Sequence, residues 1–107
     1  MLRMYLLAYA VTIIFEVPIV MAIFWEERWK MGLVCFLATS TTHMVMHFLL
    51  PFATPSLDVW LISGEMLALL FEAAVYALFS KPRSVSKALI ASSLANTASF
   101  SIGLLLF

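Results

Sequence analysis

Four stretches of about 20 apolar residues, 4–25, 31–52, 59–80 and 88–107, are separated by connectors of five to seven residues. A helix needs about 20 residues to cross roughly 30 Å of hydrocarbon, so each stretch has the length of one crossing. Connectors as short as 26–30, 53–58 and 81–87 leave consecutive helices no choice but to turn back beside one another. The expected fold is therefore all-α: a single-domain, integral membrane, four-helix antiparallel bundle over residues 1–107. Composition agrees, because 64% of the residues are hydrophobic and 11% are charged, against about 25% charged in a globular domain.

Arg28, Lys30, Lys81, Arg83 and Lys87 fall on the first and third connectors, with Arg3 alone at the other end. Under the positive-inside rule this places both termini on the non-cytoplasmic side. Trp25, Trp29 and Trp60 stand at the ends of runs, where indole rings favour the membrane interface. The first run has a basic start in Arg3, but Glu16 and Pro18 interrupt it and bulky Phe24 and Trp25 follow, so it is expected to be retained as a span rather than cleaved as a signal. The plasma (inner) membrane of a prokaryote is the expected location.

The charge sum is zero, with six basic and six acidic residues, which leaves no basic footprint for nucleic acid. Cys35 has no second cysteine to pair with and reads as a small buried hydrophobe.

What distinguishes the chain is the polar residues inside its apolar runs. Glu65, Glu72 and Tyr76 fall within roughly 40° of one another at about 100° per residue, so one face of the third helix carries both carboxyls and a phenol. A carboxylate facing hydrocarbon is too costly to keep, and such residues face protein, water or an ion. In the first run Tyr5, Tyr9, Thr12 and Glu16 form one polar stripe, with Pro18 expected to free a backbone acceptor beside Glu16. The second run holds Thr39 to Thr42, then His43 and His47 one turn apart. That H-x-x-x-H spacing suits two ligands of one metal ion. It lacks the glutamate of a metalloprotease helix, since Met44 follows His43. Pro51 removes the usual partner of the His47 carbonyl. In the fourth run Ser92, Asn96, Ser99 and Gly103 make a small, hydrogen-bonding face suited to close helix packing.

Counted from their entry points, Glu16, His43, Glu72 and Asn96 reach similar depth, with Glu65 and His47 nearer the non-cytoplasmic side. No Lys or Arg lies within a run apart from Arg3 at its edge, so buried glutamates must be protonated, paired with a charged histidine, or bound to a cation. Three readings follow. The first is a divalent transition metal, Zn, Mn, Fe or Ni, held by His43, His47, Glu65 and Glu72, or a proton and ion relay through Glu16, Glu72, Tyr76 and Asn96, in either case for transport. The second is a non-catalytic subunit or assembly factor whose buried polar residues specify partner helices, with Ser92, Ser99 and Gly103 as packing positions. The third is a membrane-embedded metal-dependent enzyme, and catalysis ranks last because no G-x-S-x-G or comparable signature occurs. Besides lipid and a small ion or proton, so small a chain is expected to associate as a homo-oligomer or within a larger membrane complex.

The motif G-E-x6-E-A-x2-Y over 64–76, A-N-x2-S-F-x2-G over 95–103, and the preceding Thr42 and His43 resemble those of a group of small, uncharacterised four-span prokaryotic membrane proteins. That resemblance covers roughly the last two-thirds of the chain. It implies the four-span fold and these polar positions, and implies no activity.

Overall fold

Each apolar run forms one helix in the computed structural model, which describes residues 2–53, 55–81 and 84–106. The helices are α1 (Leu2–Ile23), α2 (Arg28–Met44), α3 (Leu57–Phe79) and α4 (Val85–Leu106). The helical stretches Tyr5–Ile23, Trp25–Leu49, Leu57–Phe79 and Val85–Leu106, the second of which includes the turns on either side of α2, are each long and apolar enough to cross a membrane. Arg83 and Phe107, which the sequence reading placed on the third connector and at the end of the fourth run, lie outside the described residues.

The ends are set by local chemistry. At the start of α3, Ser56 Oγ accepts the Val59 N–H at 3.2 Å, satisfying one of the orphan donors of a first turn. Ser84 does the same for α4, accepting the Lys87 N–H at 3.1 Å, so α4 begins three residues before the expected position. Between α1 and α2 the chain makes a single 3-10 turn at Trp25–Glu27. There Glu27 accepts from Lys30 Nζ with one oxygen and from the Lys81 backbone N–H with the other, both at 2.8 Å. That carboxylate ties the first connector to the third.

The second run departs from a plain helix. After Met44 it widens into a π-helical turn at Val45–Leu49 and then tightens into a 3-10 turn at Leu50–Phe52. Pro51 has no N–H to continue the α pattern. The Leu50 N–H instead reaches back five residues to the Val45 carbonyl. The Met46 carbonyl is thereby released, and it accepts the Trp60 indole N–H at 2.6 Å. Trp60 thus locks the end of the second run to the start of α3, a role beyond the interfacial anchoring expected of it.

Packing forms a closed square: α1 lies against α2 and α4, and α3 lies against α2 and α4. Cross-helix partners fix the directions. Along α1 and α2, Tyr9 meets Ser40 and Glu16 meets Thr39; along α1 and α4, Glu16 meets Ser99 while Lys87 Nζ lies 5.0 Å from the centre of the Phe24 ring. Both pairs run antiparallel. The bundle measures 40 × 23 × 19 Å, enough to cross the hydrocarbon core.

Its surface is the reverse of a water-soluble protein. Leu6, Ile14, Leu33, Ile62, Leu70, Leu78, Leu94 and Leu104 are exposed, while Glu16, Glu72, Asn96, Thr39 and Ser92 are buried. The apolar core is confined to the end that carries the first and third connectors, where Val20, Phe24, Met31, Cys35, Tyr76, Ala88, Ala91 and Ala95 pack together. At the other end α2 and α3 approach closely at Gly64, where an added Cβ would sit 2.7 Å from Met46 Cε and 2.8 Å from Met46 Cγ. Overpacking of this kind costs about 1–3 kcal/mol. Gly64→Val is therefore expected to lower the thermal unfolding midpoint in detergent, and Met46→Ala in the same chain is expected to recover part of the loss.

Candidate functional site

Glu16 and Glu72 are the centre of the polar interior, each about 1% exposed. Glu16, from the middle of α1, accepts from Thr39 Oγ1 on α2 at 3.1 Å and from Ser99 Oγ on α4 at 2.5 Å. Glu72, from α3, accepts from Thr42 Oγ1 on α2 at 3.0 Å, Asn96 Nδ2 on α4 at 3.3 Å and the Tyr76 hydroxyl at 3.4 Å. Each carboxyl also lies near enough to feel the charge of the other. Every helix of the bundle contributes to this cluster.

The local reasons are readable. Thr39 and Thr42 are three residues apart, hence on one face of α2, and each hydroxyl meets one of the carboxyls. Asn96 sits one turn beyond Ser92 and donates to the Ser92 carbonyl at 2.9 Å as well as to Glu72. Ser92 itself donates to the Leu69 carbonyl of α3 at 2.6 Å. Tyr76, Asn96 and Glu16, three of the expected relay residues, thus gather around the fourth, Glu72.

The cluster forms the floor of a cavity of about 790 Å³ that extends toward the end of the bundle carrying both termini. Ala8, Val11, Leu61, Ala68 and Phe100 supply apolar wall, and among the described residues no Lys or Arg lines it. Glu65 lines it too, half-buried, two turns from Glu72 along α3. Gly103 is a wall residue rather than a point of close helix approach, since an added Cβ there would meet nothing within 4 Å.

Toward the open end stands a group of rings. Tyr5 lies with its centroid 4.9 Å from His43, 5.2 Å from His47 and 5.0 Å from Phe48. His43 and His47 are 4.3 Å apart, and Trp60 meets His47 edge-on at 5.5 Å. Tyr9 stacks on His43 at 5.3 Å, and its hydroxyl bonds Ser40. Thr12 lines the cavity, but its hydroxyl donates to its own helix at the Ala8 carbonyl, 2.8 Å away.

His43, His47, Glu65 and Glu72 all line the cavity, but among the described residues no three His, Cys, Asp or Glu side chains form a group that could hold a metal ion. Two attractions keep the four apart. Glu72 is held toward Glu16 and Thr42, while the imidazoles lie against each other and against Tyr5. Among the described residues one buried side-chain polar atom, His43 Nε2, has no hydrogen-bond partner, in a residue 8% exposed. A buried group without a partner costs about 1–3 kcal/mol.

Sequence reading placed Glu16 and Glu72 in one relay with Tyr76 and Asn96, without pairing them, and did not identify Thr39, Thr42 and Ser99 as the donors that hold them, Ser99 being expected as a packing position. Their signal was their shared helical faces, since each lies three or four residues from another polar position of its helix. Comparison with protein-family models, curated proteins and solved structures finds no match.

Ser99 donates to a buried carboxyl, whereas Thr97 is exposed on the same helix. Ser99→Ala is expected to destabilise the protein by about 1–3 kcal/mol and Thr97→Ala by less than about 0.5 kcal/mol, read from thermal unfolding in detergent.

Proposed function

We propose that this is a multi-pass membrane protein that binds a small cation, or exchanges a proton, at the paired carboxyls of Glu16 and Glu72, and that it serves transport. One observation carries the reading: two buried acids at the floor of a cavity, with no Lys or Arg among the described lining residues. Two carboxylates this close repel one another strongly, so a positive charge has to be shared between them. The hydroxyl and amide donors from α2 and α4 orient the oxygens but bring no charge.

The exposed leucines and isoleucines support burial of the bundle in lipid. The basic connectors support a topology with both termini outside the cytoplasm, which would open the cavity to the non-cytoplasmic side. Below the carboxyl pair the way is closed by Val20, Phe24, Met31 and Tyr76. Transport therefore requires this apolar plug to part, in the manner of alternating access around a fixed site.

A divalent metal at His43, His47, Glu65 and Glu72 would need those four side chains to turn toward a common point, and has less support. Recognition of partner helices through Ser92 and Asn96 also has less, because both side chains bond within the bundle.

Two experiments test the reading. In liposomes loaded with a pH-sensitive dye, the wild-type protein is expected to dissipate an imposed proton or cation gradient, and Glu16→Gln and Glu72→Gln are each expected to slow it at least about tenfold, as loss of an intramembrane carboxyl relay implies. Equal flux in all three proteins would overturn it. For sidedness, Ala53→Cys and Ser86→Cys introduce thiols at exposed positions on opposite ends, with native Cys35 buried. A membrane-impermeant thiol reagent added to intact cells is expected to label Ala53→Cys alone.

A further inference from the structure

The cavity is larger than a bare ion needs. At about 790 Å³ it falls in the range of roughly 300–1,000 Å³ found for sites that enclose organic ligands. Most of its wall is apolar, from Ala8, Val11, Leu61, Ala68 and Phe100, while two of its three carboxyls, Glu16 and Glu72, are gathered at one end and the third, Glu65, stands two turns above Glu72. Such a division suits a ligand that is itself divided, with a charged head and an oily body.

His43 narrows the class. Its residue is more than nine-tenths buried, it lines the cavity, and Nε2 has no partner. A neutral imidazole protonated on Nδ1 leaves Nε2 as a lone-pair acceptor, and in that tautomer what is missing is a donor. His43 directly follows Thr42, which holds Glu72, so the imidazole stands at nearly the level of the carboxyl pair. Above it, the rings of Tyr5, Phe48 and Trp60 offer faces on which an apolar or aromatic body can rest.

We propose that the cavity binds a protonated primary or secondary organic amine with an apolar body, the ammonium N–H groups donating to Glu16, Glu72 and His43 Nε2 and the body lying against Tyr5, Phe48, Trp60 and Phe100. This rests on the reading that the carboxyl pair holds positive charge, and it names the cation. An N–H donor is essential, so a quaternary ammonium of the same body lacks the bond to His43, and a neutral amide lacks the charge.

Three probes test this on the full-length protein in detergent: dansylcadaverine, which has a primary amine and an aromatic body, its N-acetyl derivative, and its trimethylammonium analogue. Binding is followed by dansyl fluorescence. Dansylcadaverine is expected to bind saturably at one site per chain, the N-acetyl derivative at least about tenfold more weakly and the trimethylammonium analogue several-fold more weakly, as loss of a charge-assisted bond implies. Glu72→Gln is expected to weaken dansylcadaverine about tenfold. His43→Phe is expected to narrow the preference for the primary over the quaternary amine. The ligand series on the wild-type chain decides the matter even if a variant fails to fold. Equal signals from all three probes, the mark of partition into detergent, would overturn the proposal. So would absence of saturable dansylcadaverine binding; if the Gln variants still lose gradient dissipation in liposomes, only the identity of the cation falls, and if they do not, the carboxyl-pair reading falls with it.

Discussion

Four hydrogen bonds onto two carboxyl groups join all four helices, and a fifth is made within α3. Glu16 reaches from α1 to Thr39 of α2 and Ser99 of α4; Glu72 reaches from α3 to Thr42 of α2 and Asn96 of α4, and takes a further bond from Tyr76 of its own helix. In lipid the hydrophobic effect does little to draw helices together, so packing and interhelical hydrogen bonds carry the association. Here the polar bonds sit at the middle of the bundle, and the apolar core is displaced to one end. The acids that would be a burden in a water-soluble core are thus the joints of this fold, and the same oxygens are the chemistry of its cavity.

This double use explains the shape of the interior. A carboxyl pair with five donors is oriented but still lacks a positive charge, and no Lys or Arg among the described residues reaches the cavity. On the proposed reading, the bundle satisfies geometry and leaves charge to a ligand. The π-helical turn at Val45–Leu49 belongs to the same design, since it lies where His47 and Phe48 face Tyr5, and irregular backbone at membrane depth is tolerated where it lines a cavity. Trp60 closes the account of that turn by taking the Met46 carbonyl that the wider turn releases.

Much of the fold was legible because it rests on length and period. The four runs became four helices, their antiparallel order followed from short connectors, and the stripe of Glu65, Glu72 and Tyr76 does face the interior. The helix ends moved by a few residues where Ser84 capped α4 earlier than the apolar pattern suggested and where Pro51 ended regular α2 geometry well before Phe52. The candidate site was legible in membership and illegible in pairing. Depth counting brought Glu16, Glu72 and Asn96 together, and they meet. It could not show that Glu72 turns toward Glu16 rather than toward His43, because that depends on the rotation of each helix about its axis, which Thr39, Thr42 and Ser99 fix. The spacing of His43 and His47 suggested convergence on a metal ion, but the same spacing permits two rings to lie against each other and against Tyr5, and that is what they do. Gly103 looked like a packing glycine, yet it faces open space.

The central claim, that Glu16 and Glu72 act as one unit, is tested most directly by a double-mutant cycle on thermal unfolding in detergent with Glu16→Gln, Glu72→Gln and the double variant. Residues in direct contact show coupling free energies of about 0.5–3 kcal/mol, and relief of repulsion by the first glutamine should make the second substitution distinctly less favourable than it is alone. A coupling of about 1 kcal/mol or more is the predicted result. Effects that simply add would mean the two carboxyls do not share a charge, and would contradict the account.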